Sequence, residues 1–402
     1  MIRQLFVLSL FAGAVAAAAA PASLAGIEKK AFEIPRFVTV GGRALAPVRF
    51  GYETYGKLNA AGDNAILVTH HFTGTSHAAG RYRDQAEDVP PGEWDYLIGP
   101  GKSIDTDRYF VVSADTLSNM NTGDPHVITT GPRSIDPRTG QPYGMSFPVV
   151  TIRDFVAAQH ALAVSLGIRR WFAVIGASMG SMQALEWATD YPDMVARAVA
   201  VVPAGLAASP HLIETLHSWM AVVENDPRWN GGSYGQREGV MPGLANALNL
   251  LLLQSQNTAW TQRTPYLGED GLAAWAAPGI DPKAGFGNAF AIEKAVDGMK
   301  LAFGKNLDPD SFLYIAKAVQ LYQLGQAGDP AGAIRRIRAA ILLLPARSDL
   351  LLFPQYAVDA YRQLRAAGKR VTLKYIEGNG GHVDGIRNLM RVSETLRDFL
   401  AR

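Results

Sequence analysis

The sequence predicts an α/β protein: a mostly parallel central sheet, helices on both faces, and a block of helices inserted late in the chain. Three observations carry this. Short apolar runs rich in β-branched residues alternate with helical stretches through the first half. The alternation stops over residues 207–330, where only helical periodicity and loops are found. Strand character returns at residues 340–344 and 371–376. At 402 residues, 48% hydrophobic and 18% charged, the chain can bury a core of this size. The expected division is a leader at 1–25, a first core part at 26–206, a helical lid at 207–330 and a second core part at 331–402.

The leader is read from Arg3, an apolar run over residues 5–15, an alanine-rich stretch and the small-residue pattern Ala20-Pro21-Ala22. This is the pattern of a secretory signal peptide cleaved between residues 19 and 25, which implies a periplasmic or secreted protein. The alternative is an uncleaved anchor, but its apolar stretch is too short to span a bilayer comfortably, so no stable membrane anchor is expected. A net charge of +2 gives no reason to expect a nucleic-acid partner, and with no cysteine there is neither a disulfide nor a thiol nucleophile.

In chain order, residues 65–69 and 109–113 read as buried strands separated by a Gly-, Pro- and Asp-rich loop. Ile152, Phe155, Val156, Ala163 and Leu166 mark one face of a helix beginning near Thr151. Residues 171–175 form a strand that runs directly into Gly176-Ala177-Ser178-Met179-Gly180, and a helix follows over 179–188. The next strand is 196–202, and the last helix runs over about 393–400.

Gly-x-Ser-x-Gly between a strand and a helix is the nucleophile elbow of the α/β-hydrolase fold. A serine hydroxyl needs a base, and the base needs a group that orients it. In this fold the partners follow in the order Ser, Asp or Glu, His. His382 is the only histidine after His217 and sits in a glycine-rich loop beyond the last strand, where the base belongs. Asp349, five residues after the strand at 340–344, is placed to hold it; Asp384 is a weaker rival, too close in sequence to His382 to approach its ring. The oxyanion donors are expected to be the amides of Met179, which follows the nucleophile, and Phe72, in the loop after the strand at 65–69. His70, His71 and His77 lack metal-ligand spacing and read as structural or substrate-lining, so neither metal nor cofactor is expected. Gly99-Pro100-Gly101-Lys102 lacks the full phosphate-loop pattern and reads as a turn.

Several long runs resemble the homoserine O-acetyltransferase family. Among them are Gly51-Tyr52-Glu53-Thr54-Tyr55-Gly56, Leu97-Ile98-Gly99-Pro100-Gly101-Lys102, Ser178-Met179-Gly180-Ser181-Met182-Gln183-Ala184-Leu185-Glu186-Trp187 and Asp226-Pro227-Arg228-Trp229-Asn230-Gly231-Gly232. The likeness extends from about Phe37 to Leu400. It implies a ping-pong mechanism in which the serine takes an acyl group from acyl-CoA and passes it to homoserine, with Ser178, Asp349 and His382 matching the family triad. Family members are often dimers through the lid helices, which makes a homodimer possible here.

The departures point elsewhere. Where homoserine-using members carry a lid arginine, this chain has Met220, and the acidic residue that follows the family histidine is Val383 here. A guanidinium that grips a carboxylate has no apolar substitute. Residues 114–130 and the lid after residue 249 also match poorly. Acetyl-CoA is a cytoplasmic metabolite, so an exported enzyme would lack its donor. The reading drawn from the residues is an exported ester hydrolase acting on a small ester or acyl compound; the alternatives are acyl transfer from acyl-CoA to homoserine or another hydroxyl, and a non-catalytic binding module on the same scaffold.

Overall fold

The computed structural model describes residues 23–86, 88–234, 241–261, 281, 283–288, 290–326 and 328–401. Most of the leader predicted at 1–25, and part of the predicted lid, lie outside the described residues. The central sheet has eight strands: β1 (Lys30–Ile34), β2 (Val48–Tyr55), β3 (Ala65–Thr69), β4 (Phe110–Ala114), β5 (Trp171–Ala177), β6 (Arg197–Val201), β7 (Ala340–Leu344) and β8 (Val371–Leu373). Their spatial order is β1-β2-β4-β3-β5-β6-β7-β8. The two pairings at the β1 edge, β1 with β2 and β2 with β4, are antiparallel, and every other pairing is parallel.

The parallel strands are apolar on both faces, as a doubly covered sheet requires. In β7, Ile341 and Leu343 join one core, and Leu342 and Leu344 the other. In β3, Ala65 and Leu67 part from Ile66 and Val68 in the same way. The first core takes up helices α1 (Ile152–Ser165), α2 (Met179–Asp190), α3 (Pro210–Glu224), α4 (Pro242–Ser255) and α6 (Pro309–Gln320), with α5 (Ala291–Gly304) against α4, and also α7 (Pro330–Arg336) and α8 (Pro354–Ala366). The opposite face is closed by α9 (Ser393–Ala401) and by Trp94, Leu97, Ile98 and Ile104 of the loop before β4.

Individual ends differ from the sequence expectation. The helix expected near Thr151 starts one residue later because Thr151 is its N-cap; its hydroxyl accepts the Asp154 amide while the Asp154 carboxylate accepts the Thr151 amide. The strand expected over 371–376 ends at Leu373, and Ile376 instead bridges Ala346 near the end of β7. Helices α3 to α6 all lie between β6 and β7, and among the described residues no strand of the central sheet falls there.

α3 and α6 are tied through the Asp-Pro-Arg-Trp segment. The Trp229 indole N–H donates to Asp310 at 2.7 Å, and Asp308 caps α6 through the Ser311 amide at 2.8 Å. Burial drives the Asp310 carboxyl up to about 7; the indole bond opposes this, and the Asp308 charge adds to it. The folded protein therefore holds this proton where the unfolded chain, near 3.8, has lost it. Stability from this group is full below about 3.8 and is lost progressively as the pH rises from there to about 7. Asp310→Asn keeps an acceptor for Trp229, so thermal denaturation should show a higher Tm than wild type at pH 8 and a clearly smaller difference at pH 5.

Candidate active site

The elbow follows from close backbone packing. β5 ends at Ala177 and α2 begins at Met179, leaving Ser178 at φ 57, ψ −121. A Cβ on Gly176 would lie 2.1 Å from Thr69 Oγ1 and 2.3 Å from the Gly180 carbonyl oxygen. One on Gly180 would lie 2.2 Å from the Thr69 carbonyl oxygen. Both glycines are therefore needed because the turn lies directly against the end of β3, and Thr69 fastens it by donating from Oγ1 to the Gly180 carbonyl at 2.8 Å. The first turn of α2 leaves its amides without intrahelical acceptors. The Met179 amide has no acceptor among the described residues.

Thirty-three residues apart in sequence, His382 and Asp349 meet with Nδ1 and Oδ2 at 2.7 Å. Both are buried. The other oxygen, Asp349 Oδ1, accepts the amides of Leu351 and Leu352, each at 2.9 Å. An ionised carboxylate can only accept, so the neutral imidazole would carry its proton on Nδ1 and leave the Nε2 lone pair free. His382 and Ser178 line one cavity of about 380 Å³. Asp384, the rival carboxylate, faces away: Oδ2 accepts the Gly380 amide at 2.8 Å, and Oδ1 accepts Asn388 Nδ2 at 2.6 Å. It shapes the loop that presents His382. On the loop's other side, the Gly381 amide donates to Ser348 Oγ at 3.0 Å, beside Asp349.

Phe72 also lines the cavity, and its amide has no acceptor among the described residues. Its ring meets Trp219 and Phe312 edge-on at 5.9 and 5.4 Å. The loop around it is held from below by residues 115–121. Asp115 accepts the Ser76 amide at 2.8 Å, the Thr116 amide donates to His70 Nε2 at 3.2 Å, and Asn119 and Asn121 donate to the carbonyls of Gly74 and Thr73. Asp115 belongs in turn to a buried group in which Lys29 reaches Glu53 at 2.8 Å and also meets Ser76. Sequence reasoning missed this cradle, which lies in the stretch with poor family likeness.

The three histidines separate. His71 lines the cavity, its Nε2 lying 2.9 Å from Glu93. Glu93 stays below its ordinary pKa; burial pushes it up, but the charge and hydrogen bond of His71, with help from Arg387, outweigh that. His77 Nδ1 lies 3.1 Å from Glu53. His70 is buried, and burial takes its pKa down to about 4. The turn at Gly99-Pro100-Gly101-Lys102 closes with the Lys102 amide on the Gly99 carbonyl at 3.1 Å.

The cavity roof is apolar. α3 contributes Leu212, Leu216 and Trp219, and α4 contributes Leu248, Leu251 and Leu252. Met220, which the resemblance sets where the family carries an arginine, does not line the cavity; its neighbour Trp219 does, fixed by an indole bond to Gln254 at 2.6 Å. Val383 lines the cavity beside His382, and Arg387 is the one guanidinium among the described lining residues.

The pattern of the alpha/beta hydrolase fold matches residues 97–388. A homoserine O-acetyltransferase from Symbiobacterium thermophilum is 39% identical over 373 residues, spanning 90% of this chain and 91% of its own length. The chain belongs to the homoserine O-acetyltransferase family of the α/β-hydrolase fold. Solved relatives agree in shape. The homoserine O-acetyltransferase of Bacillus anthracis superposes with TM-score 0.86 at 34% identity, covering 94% of this chain and 98% of that one. Esterase E22 superposes with TM-score 0.87 at 40% identity, covering 93% and 100%. As a member of this family the protein is an acyl-transfer enzyme.

Two outcomes follow from this geometry. Gly180→Ala should cost about 1–3 kcal/mol in urea denaturation, because its new methyl meets rigid backbone rather than a side-chain tip. Acid should also destabilise the fold through His70. The unfolded imidazole takes its proton near 6.5 and the folded one only near 4, so stability falls as the pH drops between these values. Urea denaturation from pH 7 to pH 4 should show a shallower slope for His70→Asn than for wild type.

Proposed function

We propose that this member of the family is an exported ester hydrolase working through an acyl-enzyme. His382 Nε2 takes the proton of Ser178 as Oγ attacks the ester carbonyl. Asp349 keeps the imidazole in the required tautomer and stabilises its cation. The free amides of Phe72 and Met179 receive the oxyanion. The protonated His382 then releases the alcohol, and water activated by the same imidazole frees the acid.

The lining of the cavity carries hydrolysis over transfer to homoserine. Its helical roof offers leucines and Trp219 with no cation, and Val383 stands where the resemblance sets an acidic residue. A zwitterionic acceptor would lose its hydration against these walls without compensation. Esterase E22, 40% identical over nearly the whole chain, supports the same reading. Export is inferred from Arg3, the apolar run and Ala20-Pro21-Ala22; cell fractionation with amino-terminal sequencing of the mature protein tests it.

A second reading, acyl transfer from acyl-CoA to a hydroxyl acceptor, draws on Arg387 and Glu93, which give the cavity one group of each charge. The relatives named homoserine O-acetyltransferase favour it too. Arg387, however, is exposed, and Glu93 is already engaged by His71.

Ser178→Ala should lower ester turnover by about 10³-fold or more and abolish labelling by a fluorophosphonate probe, with the fold intact by circular dichroism. Turnover that survives this change would refute the mechanism. Purified enzyme given acetyl-CoA and homoserine should form O-acetylhomoserine far more slowly than it cleaves simple acetyl esters; the opposite ratio, read by mass spectrometry, would select the transferase.

A further inference from the structure

The Phe72 amide does not stand alone: it shares one peptide group with the His71 carbonyl. A trans peptide is planar, so its N–H and C=O point in opposite directions, and fixing one aims the other. The carbonyl end is fixed by two donors. His70 Nδ1 reaches the His71 oxygen at 2.8 Å, and the Gly74 amide reaches it at 3.0 Å.

The tautomer of His70 follows from its other side. Nε2 faces the backbone amide of Thr116 at 3.2 Å, and a backbone N–H can only donate. Asn119 Nδ2 lies on the same nitrogen at 3.3 Å. Nε2 is thus the acceptor, and Nδ1 carries the proton. Burial holds the ring neutral at working pH. His70 is also built into the elbow: its carbonyl accepts Gln183 Nε2 from α2 at 3.4 Å and would lie 3.1 Å from a Cβ on Gly180.

We infer that His70 is a positioning residue for acyl transfer, which aims the Phe72 amide at the oxyanion by holding the carbonyl of the same peptide. The inference rests on the proposed function, in which Phe72 is an oxyanion donor. A bond into the carbonyl also polarises the peptide, making its N–H the stronger donor. The peptide remains in place without His70 because Gly74 still holds the carbonyl, so the loss should fall short of removing a donor outright.

The test compares His70→Asn, His70→Gln and His70→Ala in the full-length enzyme. Asparagine can place an amide N–H near the position of Nδ1, whereas the longer glutamine reaches the Nε2 side. Four quantities are read: kcat and KM on a short neutral ester, inhibition by a boronic acid that forms a tetrahedral adduct with the serine, inhibition by the product alcohol, and Tm. His70→Ala should lower kcat and boronate affinity together, by roughly 10–10²-fold against the ~10²–10³-fold typical of losing a donor, with KM and alcohol affinity within about twofold. His70→Asn should recover most of the loss and His70→Gln should not. If His70→Ala fails to fold, the contrast between Asn and Gln decides.

A folded His70→Ala with wild-type kcat and boronate affinity would overturn the inference. So would an equal loss of boronate and alcohol binding that Asn does not rescue, since that marks a purely structural role. Both results are distinct from failure of the proposed function, which shows as unlabelled Ser178 or surviving turnover in Ser178→Ala.

Discussion

At the centre of this molecule a turn lies so close against the end of a strand that two of its residues have no room for a Cβ. The turn from β5 into α2 rests on the last residue of β3, and glycine at 176 and 180 is what lets Thr69 come close enough to bond it. That contact stands Ser178 above the sheet in a left-handed conformation. It also brings the start of α2 beside the loop after β3, so Met179 and Phe72 line one cavity. The sheet order makes this geometry possible: β3 and β5 are neighbours, and the chain leaves β3 for β4 on one side before returning to β5 on the other. Open α/β sheets place their ligands at such a reversal.

The remaining parts of the site are held by segments that do none of the proposed chemistry. Residues 115–121 supply side chains and an amide to the loop bearing Phe72. Asp384 folds the glycine-rich loop bearing His382, and a Cβ on Gly378 or Gly380 would collide with its carboxylate. α4 closes against the same loop, since a Cβ on Gly381 would lie 2.8 Å from the Ser255 carbonyl and the Asn257 amide. The roof of the cavity and its base are therefore one packed unit, and a change in α4 will be felt at His382.

The sequence told most where local chemistry and periodicity coincide. Ser178 announces itself through the spacing of its glycines, and β7 through five apolar residues in a row. Asp349 and His382, whose roles belong to the proposal, could be picked out by chain order and by their loops, and the structure brings their side chains together. Other features were hidden for identifiable reasons. β2 carries Glu53 in its middle, a charge that reads as surface until Lys29 and His77 are seen to meet it in the interior. The cradle beneath the loop bearing Phe72 consists of polar side chains bonded to a backbone about forty or more residues away, and such pairs leave no period in a sequence. Met220 and Trp219 differ by about 100° around α3, which suffices to move an expected lining position out of the cavity and put its neighbour in.

The segment that follows His382 is anchored far from its own place in the chain. The carbonyl of Ile386 accepts bonds from Trp94 at 3.0 Å and Tyr96 at 3.1 Å, partners nearly three hundred residues upstream. Contacts of such long range form late, because closing a large loop costs entropy before any contact rewards it. During synthesis the first half of the sheet and the elbow can assemble while the imidazole is still to be made. On the proposed mechanism, a nascent chain would thus have its serine in place but no base to arm it, and would stay inert until its tail emerged and docked.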